Sequence, residues 1–363
     1  MNRIAVIGCG YWGPNFVRNF SQIPDCEVAV CCDLREERLR HMRSLYPFVR
    51  TTTHLDRVLE DPTINAAVIA TPVTSHHRIG MACLRAGKNV LIEKPIAASP
   101  REAYELAVAA KERGLVLMGG HTFLFNAAVI KVKEYIESGE LGKIFYINST
   151  RVNLGIFQDD INVIWDLAPH DISILNFVLN SRPVRVAAYG RSYIQTAIED
   201  VAFITLEYPK GVVAHVHVSW LDPNKIRRTT IVGSKKMLVY DDIQTLEKVR
   251  IYDKGVTVQP HYDTFGEFQL AYRFGDIYTP KVDDSEPLKL ECHGFIDSIK
   301  KGKALRSGGE ECLWVVEALD AAQRSLRLGG KLVEVRDMMG ERKSKKKRVP
   351  RPRVKSVKKG SAR

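Results

Sequence analysis

Residues 3–13 read RIAVIGCGYWG, an apolar run that ends directly in a glycine-rich turn. The run from Arg3 to Ile7 has the β-branched content of a buried strand, and residues 11–20 continue with helical spacing. Gly8, Gly10 and Gly13 match the pattern G-x-G-x-x-G, in which glycines permit a tight turn, a close approach to a pyrophosphate and close helix packing. The stretch therefore predicts a strand, a phosphate-binding turn and a helix.

The same alternation continues to about residue 120. The further predicted strands are Glu27–Cys32, Ala66–Ala70, Asn89–Ile92 and Leu115–Met118, and the predicted helices between them are Glu36–Leu45, His77–Ala86 and Pro100–Arg113. Strands that are apolar throughout are typical of a parallel sheet covered by helices on both faces. We therefore predict an α/β fold of the Rossmann type, a doubly wound parallel sheet, over residues 1–120.

Asp33 lies 20 residues beyond Gly13, at the end of the second predicted strand. A carboxylate at that spacing accepts hydrogen bonds from the ribose hydroxyls of a dinucleotide and repels a 2′-phosphate, which favours NAD over NADP, although Arg35 is close by. The alternative is a glycine turn beside a solvated aspartate. The predicted cofactor contacts in this part of the chain are Gly8, Gly10, Tyr11, Trp12, Gly13 and Asp33.

Polar residues also follow the next two predicted strands. Thr71, Pro72 and His76 come after the third strand, and Glu93-Lys94-Pro95 comes after the fourth. Ligands bind at the carboxyl edge of such sheets. A residue before proline has restricted backbone freedom, so the Lys94 ammonium can be held in place as a candidate catalytic group. The alternative for an isolated strand-end lysine is a solvated charge.

With these motifs, the stretch Ser138–Ile144 (SGELGKI) and the pair Asp166 and His170, the chain resembles the glucose-fructose oxidoreductase/inositol dehydrogenase/MocA family. The resemblance implies an N-terminal dinucleotide fold and a C-terminal domain with an open, mostly antiparallel sheet that often mediates oligomerisation. It implies that Lys94, Asp166 and His170 are the catalytic residues. It also implies that Thr71, Pro72, His76 and Glu93 line an NAD(P) cofactor.

The chain departs from the family pattern at two places. Trp165 stands where many members have glycine, and His121-Thr122-Phe123 stands where relatives often have an Asn-Arg pair. With Arg151 and Asn153 nearby in sequence, Trp165 favours a nucleotide sugar of the UDP-N-acetylhexosamine type; the alternative substrate is a free inositol or aldose. The candidate substrate contacts are His121, Arg151, Asn153 and Trp165.

The residues around Asp166 suggest a division of roles. Asp166 is predicted to cap a helix that runs to Asn180, with Pro169 in its first turn, and a separation of four places His170 on the same helix face. His170 is predicted to be the base, because the ordinary pKa of about 6.5 suits proton transfer near neutral pH. Asp166 would orient His170, and Lys94 would hold the substrate oxygen. An exchange of roles between Lys94 and His170 is the alternative, as are a plain cap and a structural histidine.

From Phe145 the apolar period changes to two, which predicts an antiparallel sheet. The predicted strands are Phe145–Asn153, Val184–Tyr193, Val201–Tyr208, Val212–Leu221, Arg228–Val232 and Lys236–Tyr240. In the fourth, His215, His217 and Ser219 share a face that would meet a partner subunit or the substrate, and the absence of a third ligand at suitable spacing argues against a metal site. Residues 255–284 are interpreted as an irregular loop or arm, followed by helices Leu288–Lys300 and Glu310–Leu328 and a strand Lys331–Val335. Residues 121–337 are the second predicted domain, α+β in class.

The chain of 363 residues has a formal charge of +12, but residues 341–363 carry twelve basic residues and one acidic residue, which leaves +1 on the remainder. Residues 338–363 are predicted to be a disordered basic tail. The tail is a candidate for salt-sensitive attraction to nucleic acid or another polyanion; the alternative is a solvated tail without a dedicated partner.

The rest of the chain has an ordinary soluble composition, 45% hydrophobic and 26% charged. There is no apolar run of about 20 residues that would span a membrane and no signal-peptide pattern, so we expect a cytoplasmic protein. The seven cysteines are odd in number and lack C-x-x-C spacing, which favours reduced buried thiols. The leading hypothesis is an NAD-dependent dehydrogenase; the hypothesis from another class is a non-catalytic NAD-binding sensor with a polyanion-binding tail.

Overall fold

The computed structural model describes residues 1–257 and 271–340. The first sheet has six parallel strands in the order β3-β2-β1-β4-β5-β6, the doubly wound order expected of a dinucleotide-binding fold. The strands are β1 (Asn2–Ile7), β2 (Cys26–Cys32), β3 (Arg50–Thr52), β4 (Ala66–Ile69), β5 (Asn89–Glu93) and β6 (Leu117–Gly120). The predicted fold class is confirmed. The three-residue β3 was not predicted, because so short a strand has no readable period.

Helices cover both faces of this sheet. They are α1 (Trp12–Phe20), α2 (Glu36–Leu45), α3 (Asp56–Leu59), α4 (Val73–Arg85) and α5 (Pro100–Arg113). Two of them, α2 and α5, have the predicted bounds, and Ser99 caps α5 by accepting from the Glu102 amide. Helix α4 begins four residues before its prediction, directly after Pro72, so His76 lies inside it.

The second sheet has nine strands in the order β14-β13-β12-β11-β7-β10-β9-β8-β15. They are β7 (Ile144–Val152), β8 (Arg185–Arg191), β9 (Val201–Glu207), β10 (Val213–Ser219), β11 (Ile226–Gly233), β12 (Met237–Asp241), β13 (Val249–Thr257), β14 (Ala271–Tyr278) and β15 (Val333–Glu334). The mostly antiparallel prediction is confirmed. The exception is β7 beside β10, which run parallel.

Two strands correct the sequence interpretation. Residues 255–284 were interpreted as irregular, but 249–257 and 271–278 pair as antiparallel strands β13 and β14. Glycines at 255, 266 and 275 and a proline at 260 obscured the alternation there. Residues 258–270 lie outside the described residues. In β10 the predicted faces are observed: Ala214, Val216 and Val218 are buried, whereas His215 is exposed.

The remaining helices are α6 (Ala127–Glu137), which was not predicted, α7 (Val163–Leu179), α8 (Pro287–Lys301) and α9 (Gly309–Arg327). Helix α7 packs on the second sheet. Helix α8 packs on the first sheet, where Phe295 meets Phe20 with ring centroids 6.3 Å apart. Helix α9 contributes Cys312 and Val316 to the core of the first sheet and Val315 to that of the second. The two sheets therefore share α9, whereas α8 completes the first sheet.

The end of the described chain is attached to this body. Met338 was predicted to belong to the disordered tail, but its backbone N–H donates to Glu317 Oε1 at 2.8 Å. Arg182 bridges Glu317 and Asp337 at 3.0 and 2.6 Å, so two ion pairs hold the segment. The rest of the predicted tail, residues 341–363, lies outside the described residues. All seven cysteines are free, and six of them are buried. Among the described helices, none is long and apolar enough to cross a membrane.

Candidate active site

The three motif glycines have different surroundings. Gly8 has φ +96°, and a Cβ there would lie 2.6 Å from the Ala70 carbonyl carbon, while a Cβ on Gly13 would lie 2.4 Å from Gly8 O. Both positions therefore require glycine because a side chain would clash with the protein's own backbone. A Cβ on Gly10 would meet only the Arg38 side chain, at 3.5 Å. The open space at Gly10, next to the start of α1, fits the close approach of a dinucleotide pyrophosphate.

A cavity of about 400 Å³ lies beside this turn at the carboxyl edge of the first sheet. It brings together Gly8, Asp33, Thr71 and Pro72, which were predicted to line the cofactor. Asp33 Oδ2 accepts from the Cys9 amide at 2.7 Å, and Oδ1 accepts from the Arg35 amide at 2.9 Å. Asp33 thus orders the turn as well as facing the cavity. Tyr11 is exposed and Trp12 partly exposed at the start of α1, outside the lining of this cavity.

Three arginines also line the cavity: Arg35, Arg38 and Arg78. Arg38 Nη1 lies 3.4 Å from Asp33 Oδ2. An aspartate disfavours the 2′-phosphate of NADP, whereas an arginine favours it. The charged residues of this cavity therefore have opposing effects on the choice between NAD and NADP.

His76 does not line the cavity, which corrects its prediction as a cofactor contact. It is buried, with Nδ1 2.9 Å from Pro95 O and Nε2 2.7 Å from Thr71 O. Burial lowers its pKa. Because both ring nitrogens face backbone carbonyls, His76 joins the loops after β4 and β5 and positions them rather than contacting a ligand.

Lys94 follows β5, and its peptide bond to Pro95 is cis. Its ammonium donates to Asp166 O at 2.9 Å and to Asp166 Oδ1 at 3.2 Å. The other carboxylate oxygen, Oδ2, accepts from Trp220 Nε1 at 3.0 Å. Two predicted catalytic residues are therefore in direct contact. Trp220 was not predicted as part of the site, although a buried indole N–H needs an acceptor and could have signalled one.

The predicted cap by Asp166 is wrong, and the carboxylate contacts Lys94 and Trp220. Helix α7 begins four residues earlier, where Asn162 Oδ1 accepts from the Trp165 amide, so Asp166 lies in the first turn and Pro169 inside the helix. Both oxygens of Asp166 are engaged by Lys94 and Trp220, and no hydrogen bond joins it to His170 among the described residues. The carboxylate therefore holds the lysine.

His170 lies on α7 against the edge of Phe123, with ring centroids 5.0 Å apart. Its Nδ1 is buried and has no hydrogen-bond partner within residues 1–257 and 271–340. Burial, followed by the charges of Lys94 and Arg151, lowers the pKa of His170 well below the usual value. The imidazole is therefore neutral at neutral pH, which is the form that accepts a proton.

Arg151 was predicted to contact substrate, and the structure corrects this. Its side chain is buried, and Nε donates to Asp171 Oδ2 at 2.6 Å. The guanidinium also lies over Phe123, 4.6 Å from the ring centroid. Because β7 carries Arg151 toward α7 and Asp171 faces it, the pair forms a buried ion pair. Arg151 and Phe123 thus support His170 from behind.

The other candidate substrate residues lie in different places. His121 is buried after β6 and lines a cavity distinct from the cofactor cavity. Trp165 lines a third cavity of about 420 Å³, together with Val73 and with acidic residues that include Asp159 and Asp160. Asn153 is half-buried after β7, and its backbone N–H donates to Ser219 O at 3.2 Å.

Two buried carboxyl groups lie behind Lys94. Glu93 Oε2 accepts from the Lys94 amide at 3.0 Å, and burial raises the pKa of Glu93 to about 7. Glu291, on α8, accepts from Thr122 Oγ1 at 2.9 Å. Burial, followed by the charge of Glu93, raises the pKa of Glu291 well above its ordinary value. Glu291 was not predicted, because it is far from the motifs in sequence.

The arrangement brings an ammonium and a carboxylate into contact just beyond β5, at the carboxyl edge of the first sheet, with a neutral imidazole on the same helix as the carboxylate. An ammonium can stabilise negative charge on a reacting oxygen, and an imidazole can accept the proton of a hydroxyl group. These are the requirements for oxidising an alcohol when a hydride acceptor is bound.

Comparisons with known proteins agree with this chemistry. A family model described as an oxidoreductase family with an NAD-binding Rossmann fold matches residues 2–121, and a model of the GFO/IDH/MocA C-terminal domain matches residues 129–239. The myo-inositol 2-dehydrogenase of Thermotoga maritima is 25% identical over 342 residues, which cover 89% of this chain and 96% of that protein.

Two solved structures share the fold. GenD2 from gentamicin A biosynthesis, solved in complex with NAD, has a TM-score of 0.77 and 24% identity, and the match covers 93% of this chain and 97% of that one. The UDP-N-acetylglucosamine 3-dehydrogenase of Acidithiobacillus ferrooxidans has a TM-score of 0.76 and 24% identity over 90% of this chain and 98% of that one.

Proposed function

This chain belongs to the glucose-fructose oxidoreductase/inositol dehydrogenase/MocA family of NAD(P)-dependent oxidoreductases, and we propose that it oxidises a secondary alcohol of a neutral polyol, a cyclitol or a sugar, with NAD. The observation that carries the proposal is the contact of Lys94 with Asp166 just beyond β5, at the carboxyl edge of the dinucleotide-binding sheet, with His170 on the same helix.

Each of the three residues has its own role in the proposed reaction. His170, held in its neutral form, takes the hydroxyl proton of the substrate. Lys94 stabilises the substrate oxygen as negative charge develops on it. Asp166 holds the Lys94 ammonium in position. When bound, the nicotinamide accepts the hydride. Lys94 as the base, with His170 on the oxygen, is the alternative assignment.

The charges near the site support a neutral substrate. Arg151 is occupied by Asp171 and offers no contact to a phosphate. The cavity beside Trp165 is lined by four acidic residues, Asp159, Asp160, Glu199 and Asp320, against two arginines, Arg324 and Arg327, and this acidic balance disfavours a pyrophosphate. The 25% identity to an inositol dehydrogenase agrees with a polyol. A nucleotide sugar of the UDP-N-acetylhexosamine type is the second candidate, favoured by Trp165 and by the fold shared with a UDP-N-acetylglucosamine 3-dehydrogenase.

NAD is the proposed cofactor because Asp33 lines the cavity at the end of β2, where a carboxylate can accept hydrogen bonds from ribose hydroxyls and would repel a 2′-phosphate. NAD should therefore give a higher kcat/KM than NADP, and Asp33→Asn should narrow the difference. If NADP supported turnover at least as well as NAD, the three arginines of the cavity would outweigh Asp33 and the assignment would fail.

The test of function is NADH absorbance after mixing the purified protein with NAD and a panel of inositols, free sugars and UDP-sugars. We expect a signal with a free polyol, abolished in His170→Ala and retained in the control His215→Ala, which changes an exposed histidine of β10. A signal confined to UDP-sugars would reverse the order of the two candidates. Near-normal turnover by His170→Ala would remove His170 from the reaction.

The absence of NADH with every compound, while NAD still bound, would favour the non-catalytic sensor. A sensor has no need of Lys94, Asp166 and His170 together.

We also propose the domain division at residues 120 and 337, a cytoplasmic location and a homo-oligomer formed through the outer face of the second sheet. Tyr146 and Phe203 are exposed on this sheet and suit burial between subunits. Light scattering of the purified protein tests the oligomer, and retention on DNA with and without residues 341–363 tests the tail.

A further inference from the structure

A cavity of about 200 Å³ lies behind the proposed catalytic groups, between α6, α7 and the start of α9. Its outer end is at Asn180 and Leu305, which are exposed, and its inner end is at His121 and Ser173, which are buried. The cavity therefore runs from the surface into the protein, and it is separate from the cofactor cavity beside Asp33.

Helix α7 connects this cavity to the site. Residues spaced by three and four lie on one face of a helix. Asp166, His170, Ser173, Phe177 and Asn180 have this spacing, and the last three line the cavity. The helix face that carries the catalytic groups at one end thus reaches the surface at the other.

Two polar side chains in the cavity wall lack protein partners. His121 Nδ1 and Asn176 Nδ2 are buried, and neither has a hydrogen-bond partner within the described chain. His121 is 2% exposed and Asn176 7%. The other end of the Asn176 amide, Oδ1, accepts from Tyr208 OH at 2.8 Å. Buried polar groups of this kind bind ordered water, and the cavity has room for several water molecules.

His121 lies next to both candidate bases. In the first sheet Glu93 pairs with Gly120, so Lys94 and His121 are neighbours just beyond the ends of β5 and β6. Burial, followed by the charge of Lys94, lowers the pKa of His121 to about 4, and His121 in turn lowers the pKa of His170. A neutral imidazole between a base and water can pass a proton on without keeping it.

Charged side chains of both signs lie around this cavity and around His121. Lys133 and Arg306 line the cavity, but each donates to a backbone carbonyl, of Phe177 at 2.6 Å and of Leu124 at 3.2 Å. Glu311 also lines the cavity. On the opposite side of His121, Thr122 donates to Glu291. Burial and the charge of Lys94 disfavour a resting imidazolium at His121, which suits transfer rather than storage of a proton.

We propose that this cavity is the proton exit of the enzyme: a chain of water that takes the proton from the catalytic groups through His121 to the surface at Asn180. The inference rests on the proposed function. In each oxidation the carbinol carbon loses a hydride to the oxidised cofactor and the hydroxyl oxygen loses a proton to the base. The base must lose that proton before the next turnover.

The first test needs no substrate. A crystal structure of the full chain at high resolution should show ordered water bonded to His121 Nδ1 and Asn176 Nδ2, with further water toward Asn180. A dry cavity, or one closed by side chains, would overturn the proposal whatever the protein oxidises.

The second test separates proton release from hydride transfer. Asn176→Leu combined with Tyr208→Phe makes the cavity wall apolar without leaving the tyrosine hydroxyl unpaired, and Tyr208→Phe alone is the matched control. NADH absorbance and the colour of a pH indicator are followed together in a single turnover with myo-inositol or the panel compound that reacts fastest. In the native protein and the control, both signals should rise at one rate.

In the double variant, proton release should lag NADH formation by tenfold or more. Release that stays synchronous with NADH in the double variant, or that waits for product dissociation in the native protein, would overturn the proposal. If no compound yields NADH, the proposed function fails. The ordered water seen in the crystal structure is then the remaining test of the cavity as a proton exit.

Discussion

The Lys94 ammonium contacts two oxygens of a single residue, the backbone carbonyl of Asp166 at 2.9 Å and its carboxylate Oδ1 at 3.2 Å. Lys94 follows the last residue of a strand in the first sheet, whereas Asp166 lies on a helix packed on the second. The ammonium is therefore positioned by both halves of the molecule, and its location depends on how those halves pack.

Asp166→Asn keeps the backbone contact but removes the charge that holds the lysine. We expect kcat to fall by about 10²- to 10⁴-fold, the usual range for a misplaced acid–base group, with NAD affinity nearly unchanged. Steady-state kinetics and NAD titration measure the two effects. Asp61→Asn removes an ion pair with Arg50, whose atoms lie 2.9 Å apart, and serves as control. Equal losses in both variants would contradict a specific role.

Trp220→Phe removes the N–H that holds Asp166 Oδ2 and retains most of the packing against Phe157. Loss of one hydrogen bond to a charged group should lower the free energy of unfolding by about 1.5–3 kcal/mol. We expect kcat to fall with little change in KM, because Asp166 acts through Lys94. Phe157→Leu, which disturbs the same packing and leaves the hydrogen bond to Asp166 in place, serves as control. A change confined to KM would place Trp220 against the substrate instead.

Gly8→Ala and Gly10→Ala should separate folding from cofactor binding. Alanine at 8 meets a positive φ and the Ala70 carbonyl, so it should destabilise the fold. Alanine at 10 fits the protein but occupies the space of the pyrophosphate, so it should preserve the melting temperature and weaken NAD binding at least tenfold. Thermal unfolding and NAD titration check both. Unchanged NAD affinity in Gly10→Ala would show that the pyrophosphate binds elsewhere.

The pH profile of oxidation should reflect the lowered pKa of His170. An ordinary histidine is half protonated at pH 6.5, which would halve kcat/KM there. Since a protonated imidazole cannot accept a proton, kcat/KM should instead stay near its plateau at pH 6.5 and fall only at lower pH. The measurement is kcat/KM from pH 5 to 9. Half-maximal activity at 6.5 or above would mean that another group is the base.

The buried ion pair of Arg151 and Asp171 should behave as a structural unit. Arg151→Met leaves a buried carboxylate without its main partner and should cost about 3–5 kcal/mol in the free energy of unfolding. Adding Asp171→Asn should recover part of that loss. Urea unfolding of the two single variants and the double variant measures the coupling. Additive losses would show that the residues do not depend on each other.

The first sheet could be predicted from sequence because its strands are apolar throughout and each is followed by a helix. Two helices, Glu36–Leu45 and Pro100–Arg113, were predicted to the residue. Strand direction in the second sheet could not be predicted in full, because a period of two is the same for either direction. The parallel pairing of β7 with β10 depends on how the chain between these two strands crosses the sheet.

The candidate site could be predicted in its members but not in its contacts. Lys94, Asp166 and His170 stand out by position and by family resemblance, yet side chains compete for partners in ways that spacing does not reveal. Trp220 and Lys94 donate hydrogen bonds to the two carboxylate oxygens of Asp166. His170 instead packs against the ring of Phe123. Arg151 has the charge of a phosphate-binding residue, but its pairing with Asp171 depends on a strand meeting a helix in space.

Helices α8 and α9 complete the first sheet although they lie at the far end of the chain. During synthesis, about 200 residues must be made after residue 121 before the last of these helices, ending at Arg327, exists. At ribosomal rates of about 5–20 residues per second, that interval is about 10–40 s. For that time Phe16 and Phe20 have no Phe295 to cover them. The nascent nucleotide-binding half is therefore a natural client for chaperones, and a truncated copy of it would aggregate.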